Sequence, residues 1–251
     1  MIAITLTNVC KSFGGVAAVS DLSLAIEPGR MTGLIGPNGA GKTTVINLIT
    51  GIVNASGGHV AVGGRDITKA GPEAIARSGI ARTFQNIRLL HDASVIENVI
   101  VGFHRHEQTS LVSNLLGLPS AWRERARFRA RATALLDRFG MLRFAAVRAD
   151  SLSYGHQRRV EMMRAAATGP DFLLLDEPVA GMNEVEADEI GAILKALVAE
   201  GIGILLIEHN VGFVMELCST IYVMNTGRLI AEGTAAEVKR DPAVIEAYLG
   251  A

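Results

Sequence analysis

Residues 36–44 read GPNGAGKTT, and this stretch decides the fold. Its spacing, G-x-x-x-x-G-K-[ST], is that of a loop built to cradle phosphates. The flanks agree with that reading. MTGLI, residues 31–35, is a short strand-like run, and KTTVINLIT, residues 42–50, reads as a helix. Gly36, Gly39 and Gly41 let the backbone curl so that successive N–H groups face the phosphates. Lys42 supplies a point charge at the β- and γ-phosphates, and the Thr43 hydroxyl is placed to ligate Mg2+ that also bridges phosphate oxygens. Asn38, Ala40 and Thr44 complete the nucleotide-binding candidates of the loop. The alternative is an ordinary glycine-rich turn with a solvated lysine, and it leaves the flanking strand and helix unexplained.

A second stretch matches the first. FLLLDEP, residues 172–178, carries four apolar residues into two carboxylates. In an open α/β sheet, ligands bind at the carboxyl ends of the strands. Asp176 is therefore the candidate to hold Mg2+, and Glu177 the candidate to polarise a water for attack on the γ-phosphate. By itself an apolar run ending in acids is a weak signal; behind a phosphate loop it is a strong one. LLIEHN ends another apolar run, and its His209 is expected at the same site, on a strand beside the phosphate loop.

Working outward, IAITLTNV, VSDLSLAI, GHVAVGG, GIARTF and TIYVMN also read as strands. EVEADEIGAILKALVAE and NVGFVMELCS read as helices between them. Several strands are uninterrupted apolar runs, as expected of parallel strands covered on both faces. The alternation defines an α/β fold. From residue 87 to residue 167 no strand is evident and the chain looks helical, so a helical subdomain is expected there, inserted between core segments 1–86 and 168–251.

Composition sets outer bounds. The chain has 251 residues, 49% of them hydrophobic, enough for one large core or a core with a satellite subdomain. A net charge of −1, from 24 basic and 25 acidic residues, argues against a general nucleic-acid binder. Cys10 and Cys218 form no CxxC or metal spacing and are expected as reduced, buried apolar groups. The opening MIAITLTNVCKSF lacks a basic segment followed by a long apolar one, so no signal peptide is read. The longest apolar stretch, GIGILLI, is far below the roughly 18 residues a membrane helix needs.

LSYGH, residues 152–156, raises a separate question. Ser153 is placed as the N-cap of the helical run that follows, and Gly155 lies in its first turn. A serine hydroxyl with free backbone N–H groups makes an anion site. The phosphate loop already supplies one for this chain's own nucleotide.

Together these motifs resemble one family, the ATP-binding-cassette ATPases, in order and over nearly the whole chain. GPNGAGKTT is similar to its Walker A loop, Gln85 in TFQN to its Q-loop, and LSYGH to its signature motif. FLLLDEP is similar to Walker B, AGMN to the D-loop, and His209 to the H-loop switch. The resemblance implies a single cassette domain over 1–251, a phosphate-loop core with a parallel sheet, an N-terminal antiparallel β part and the helical insert. It implies that two cassettes, alike or different, dimerise head to tail. Ser153, Tyr154 and Gly155 then serve the ATP bound by the partner. It adds Gln85 to the catalytic pair Glu177 and His209, and to Thr43 and Asp176 at Mg2+. It also places Phe13, in KSFGG, against adenine; otherwise a phenylalanine at a strand end is core.

Within the family, ARTFQNIRLL, SVIENVIVG, LSYGHQRR, AGMN and the terminal VIEAYLG resemble the branched-chain (hydrophobic) amino acid uptake group. Urea-uptake and lipopolysaccharide-export cassettes share part of this pattern. The implied protein is a MgATP-hydrolysing motor, cytoplasmic and peripheral on the inner face of the membrane. Its implied partners are permease subunits and a solute-binding protein. Three positions depart from the general pattern: Tyr154 replaces Gly, His156 replaces Gln, and Asn183 replaces Asp. The run WRERARFRARAT spreads Arg123, Arg125, Arg127, Arg129 and Arg131 around a helix, which reads as a solvated helix or else as a surface near anionic lipid headgroups or a membrane subunit. His104 and His106 have no metal partner at a telling spacing and are read as surface residues. Two rivals carry less. A soluble cassette ATPase of repair or translation would bring coiled coils or a second cassette. A phosphate-loop kinase leaves the signature, Gln85 and His209 unexplained.

Overall fold

The structure, a computed structural model, describes residues 2–83, 87–110, 113 and 115–249. The chain forms two compact units. The first comprises residues 1–82, 171–177 and 194–251, and the second residues 83–170 and 178–193.

The first unit holds two sheets. β1 (Ile4–Phe13), β2 (Val16–Ile26), β4 (Gly57–Val62) and β5 (Arg65–Asp66) form an antiparallel sheet in the order β2-β1-β4-β5. β1 and β2 are joined by Gly14 and Gly15, both at positive φ, the two-residue turn that suits the strands' twist. The second sheet has the order β10-β9-β3-β8-β7-β6. Its strands are β3 (Met31–Ile35), β6 (Ile80–Arg82), β7 (Phe172–Asp176), β8 (Gly203–Ile207), β9 (Thr220–Asn225) and β10 (Arg228–Gly233). All neighbours are parallel except β10, which runs antiparallel to β9. β3, β7 and β8 are buried at every position, which is why their sequences are unbroken apolar runs.

One core joins the sheets. Ile4, Leu24 and Val60 reach it from the antiparallel sheet, and Leu174 and Leu205 from the parallel one. Ile46 and Ile49 come from α1 (Lys42–Ile49). Each fully buried aliphatic side chain contributes about 1.5–3 kcal/mol, so the strand ends that carry the site are firmly anchored.

In the second unit α3 (Val95–Gly102) packs on α4 (Pro119–Arg138) and α5 (Tyr154–Ala167). Phe103 stacks on Phe128 at 5.6 Å, and Val99, Leu136 and Met163 are fully buried. Arg123, Arg125, Arg127, Arg129 and Arg131 of α4 are exposed, as expected of a solvated helix.

Five elements were not visible as periodic runs: β5, β10, α2 (Pro72–Arg77), α8 (Ala235–Val238) and α9 (Pro242–Leu249). They are short or only partly buried, unlike α6 (Glu184–Ala199) and the strand-flanked α7 (Val211–Leu217), which the sequence showed. Two readings need correction. Cys218 is buried, its thiol pushed up to about 12 by burial, but Cys10 is only half-buried. It sits in the irregular part of β1, where its sulfur accepts the Asp21 N–H at 3.3 Å. His104 is exposed and pairs with Glu107 at 2.7 Å, whereas His106 is half-buried and bonds the Thr168 carbonyl at 2.9 Å.

Candidate functional site

The phosphate loop leaves β3 at Ile35 and enters α1 at Lys42. Gly36 and Gly41 have φ of 150° and 102°. A Cβ on Gly36 would strike the Met224 carbonyl oxygen of β9, and one on Gly41 the Ala18 carbonyl oxygen of β2. The loop therefore lies against both sheets, at an approach only glycine allows. The Ala40 N–H bonds the Pro37 carbonyl at 3.2 Å and closes the curl; Asn38 and Gly39 stand exposed at its tip. No side chain caps the start of α1 and no acid lies in its first turn, so the N–H groups of Thr43 and Thr44 face a region suited to an anion.

Lys42 is buried at 7% exposure, and its ammonium donates to the carbonyls of Gly36 at 2.7 Å and Pro37 at 3.0 Å. Burial lowers its pKa, while Glu177 and Asp176 act in the opposite sense. The ammonium thus lies within electrostatic reach of both carboxylates. Asp176 is the last residue of β7 and is 1% exposed. Register explains the meeting. β8 lies between β3 and β7, so all three strands end on one edge, and the Glu177 N–H bonds the Ile207 carbonyl of β8 at 2.8 Å.

Glu177 has a φ of 52° and precedes Pro178, a combination L residues avoid. Such strain persists where surrounding contacts hold it, and here it aims a carboxylate. The Glu177 Oε1 lies 2.9 Å from His209 Nε2, and His209 follows the end of β8 by two residues. The His209 backbone N–H donates to the buried Glu208 carboxylate at 3.2 Å.

Phe13 is not core. It ends β1 with 47% exposure, opposite Val16, with the Lys11 ammonium 4.8 Å from its ring centre. That exposure leaves part of the ring open to a flat ligand. A residue the sequence reading missed also lies by the loop: the Tyr248 hydroxyl of α9 stands near the Gly36 backbone. Gln85 lies outside the described residues.

In the second unit Ser153 is the N-cap of α5, its Oγ accepting the His156 N–H at 3.4 Å and lying 2.9 Å from His156 Nδ1. Tyr154 is 49% exposed and its hydroxyl accepts Arg158 at 2.9 Å, while Arg158 pairs with Glu161 inside the unit. Its ring lies against Gly181, where a Cβ would come within 3.1 Å. Gly155 lies against Met182 in the same way, so the signature and AGMN stretches are packed together. Asn183 explains its own departure from Asp. Its side chain accepts the Glu186 N–H at 2.9 Å, and its N–H donates to the Glu186 carboxylate at 3.0 Å. That is a capping box, for which Asn serves as well as Asp.

A strand–loop–helix with an uncapped helix start, a buried lysine and two strand-end carboxylates defines a phosphate-loop nucleotide site. The ABC transporter family model matches residues 19–180, and the chain belongs to that family of ATP-binding cassettes. Residues 228–251 match a second model, the branched-chain amino acid ATP-binding cassette transporter. The chain is 41% identical to the high-affinity branched-chain amino acid transport ATP-binding protein LivG of Salmonella typhimurium, covering 98% of this chain and 97% of the relative. It is 39% identical to BraF of Pseudomonas aeruginosa, a protein of the same description, covering 97% and 96%. A solved cassette of an ABC transporter in its ADP conformation superposes with a TM-score of 0.86 at 34% identity, with full coverage of both chains. Among the described residues no helix is long and apolar enough to cross a membrane, and no three His, Cys, Asp or Glu side chains gather as a metal cage.

Proposed function

We propose that this chain is the ATP-hydrolysing subunit of a membrane importer for branched-chain, hydrophobic amino acids. The observation that carries the reading is the full-length likeness to LivG, together with the separate match at residues 228–251. ATP lies along the loop 36–44, its phosphates on the uncapped start of α1 and on Lys42, its adenine on Phe13. Mg2+ takes oxygen ligands and keeps phosphates and waters among them, so a hydroxyl and one buried carboxylate, Thr43 and Asp176, suit it without a full protein cage. Thr43 and Asp176, with Gln85, would hold the ion, which would neutralise phosphate charge. Glu177 takes a proton from the attacking water, and His209 fixes the Glu177 carboxylate.

Ser153, Tyr154 and Gly155 of this chain meet the γ-phosphate of the ATP bound by a second cassette, a copy or a relative. The helical insert, residues 87–167, and Gln85 pass closure to permease subunits. Those subunits hold the chain at the inner face of the membrane, and a solute-binding protein delivers the amino acid. Co-expression with candidate permease subunits tests this. The expected result is a complex purified from membranes that, in vesicles, takes up leucine with ATP. Uptake of urea instead, or recovery of the chain free of any membrane subunit, overturns the assignment.

Phe13→Ala is expected to weaken ATP binding by about 5- to 150-fold, the equivalent of roughly 1–3 kcal/mol of base stacking. Because the ring is already exposed, the melting temperature of the nucleotide-free protein should stay unchanged. Calorimetric titration and a thermal scan check both halves; unchanged affinity places adenine elsewhere.

A further inference from the structure

We propose that His156 is a proton-dependent positioning residue for Ser153, deciding whether the Ser153 hydroxyl hydrogen is available to a phosphate oxygen of the second cassette's ATP. The proposal rests on the reading that Ser153 acts across the dimer.

Two other helices of this chain begin with the same pairing of N-cap hydroxyl and third helical residue. Ser94 gives Glu97 Oε2 its backbone N–H at 2.7 Å and its hydroxyl at 2.6 Å. Thr234 gives Glu237 Oε2 the same two donors at 2.7 and 2.8 Å. A carboxylate only accepts, so at both starts the hydroxyl hydrogen is committed inward. At Ser153 the third helical residue is His156, whose Nδ1 lies 2.9 Å from Oγ. An imidazole nitrogen accepts when bare and donates when protonated. With the neutral ring's hydrogen on Nε2, the bare Nδ1 takes the hydroxyl hydrogen, and Oγ then turns only lone pairs outward, against a phosphate. A protonated Nδ1 donates to Oγ, which releases the hydroxyl hydrogen to a phosphate oxygen and adds a positive charge behind it.

The surroundings make this a switch. The ring packs on Phe144 at 4.5 Å. Arg159 on its own helix, Arg143 beside Phe144, Glu186 and Glu189 on α6, and Asp137 and Arg138 at the end of α4 share its cleft. Burial first, then Arg159 and Arg143, hold the imidazole below the usual histidine range, with Glu186 opposing. In the open subunit near neutral pH the ring is therefore uncharged. Phosphate oxygens brought to Ser153 favour the protonated ring, so closure takes up a proton. A group whose pKa rises on closure stabilises the closed state fully below its open-state pKa. That stabilisation is lost as pH rises through the closed-state value.

The test uses the Glu177→Gln protein assembled with its membrane partners and measures the ATP concentration that half-saturates ATP retention. From about pH 7.5 to about pH 6 that concentration should fall about 3- to 10-fold, since one proton allows at most about tenfold per pH unit. Adding His156→Gln should flatten the change to less than about twofold, because an amide donates or accepts without titrating. His156→Glu should raise the concentration more than about tenfold at every pH, since an acceptor-only group locks the hydroxyl inward. An unchanged pH dependence in His156→Gln, no pH dependence in the parent, or normal retention in His156→Glu overturns the proposal. Ser153→Arg separates the two levels. If it abolishes retention while the histidine variants behave like the parent, only the role of His156 fails; if it retains ATP normally, the action of Ser153 across the dimer fails.

Discussion

Glu177→Gln lowers the turnover of bound ATP by about 10²–10⁴-fold, the usual loss on removing one positioned acid–base group. The amide keeps the shape of the side chain but takes no proton from water. Binding should survive, because the loop, Lys42 and Asp176 are untouched. The strained backbone at Glu177 is held by its N–H to Ile207, a main-chain bond the substitution leaves in place. The 2.9 Å contact to His209 weakens from an acid–imidazole pair to an ordinary amide hydrogen bond. The protein should therefore accumulate with ATP bound and the two cassettes closed. Single-turnover ATPase rates beside equilibrium ATP binding check this, and wild-type turnover removes Glu177 from the water-activating role.

Lys42→Ala and Ser153→Arg should each abolish ATPase activity, and mixing the two proteins should restore part of it. Lys42→Ala removes a charge-assisted phosphate contact, of about 1.5–3 kcal/mol, equivalent to roughly 10- to 150-fold in ATP affinity. It also removes the two bonds from the ammonium to the Gly36 and Pro37 carbonyls, so the loop loses its internal tie. Ser153→Arg fills the start of α5 and ends the hydroxyl's access to phosphate. In a head-to-tail pair both lesions of a mixed dimer fall in one composite site, and the other site keeps native Lys42 and native Ser153. At equal mixing about half the dimers are mixed and each has one intact site, so about a quarter of wild-type activity returns if the sites turn over independently. ATPase rate across mixing ratios, with mixed dimers confirmed by mass spectrometry, is the measurement. A flat inactive profile counts against the trans arrangement. For two different cassettes the lesions are divided between the two chains.

Much of the site is legible because its determinants are local. GPNGAGKTT states a turn, a helix start and a lysine within nine residues, and no distant contact is needed to read them. FLLLDEP and GILLIEHN announce buried strands, because only strands covered on both faces are apolar at every position. Glu177 and His209 then follow, each just beyond a strand's end. Phe13 was legible as a residue but not as an environment. A strand-end aromatic suits core or ligand equally in sequence, and only its 47% exposure decides against core.

The sequence by itself determined the phosphate loop, the acidic strand end, the α/β alternation and the helix start at Ser153, all consequences of spacing over a few residues. The tertiary structure alone decided the strand order β9-β3-β8-β7, which sets Lys42 at one sheet edge with Glu177 and His209, both more than a hundred residues further along the chain. It alone brought Tyr248 beside the Gly36 backbone and packed LSYGH against AGMN. Spacing along the chain fixes which backbone and side-chain groups can meet within a turn, whereas pairing between distant segments depends on how whole buried faces match. That match belongs to the summed burial of many side chains and is written at no single position.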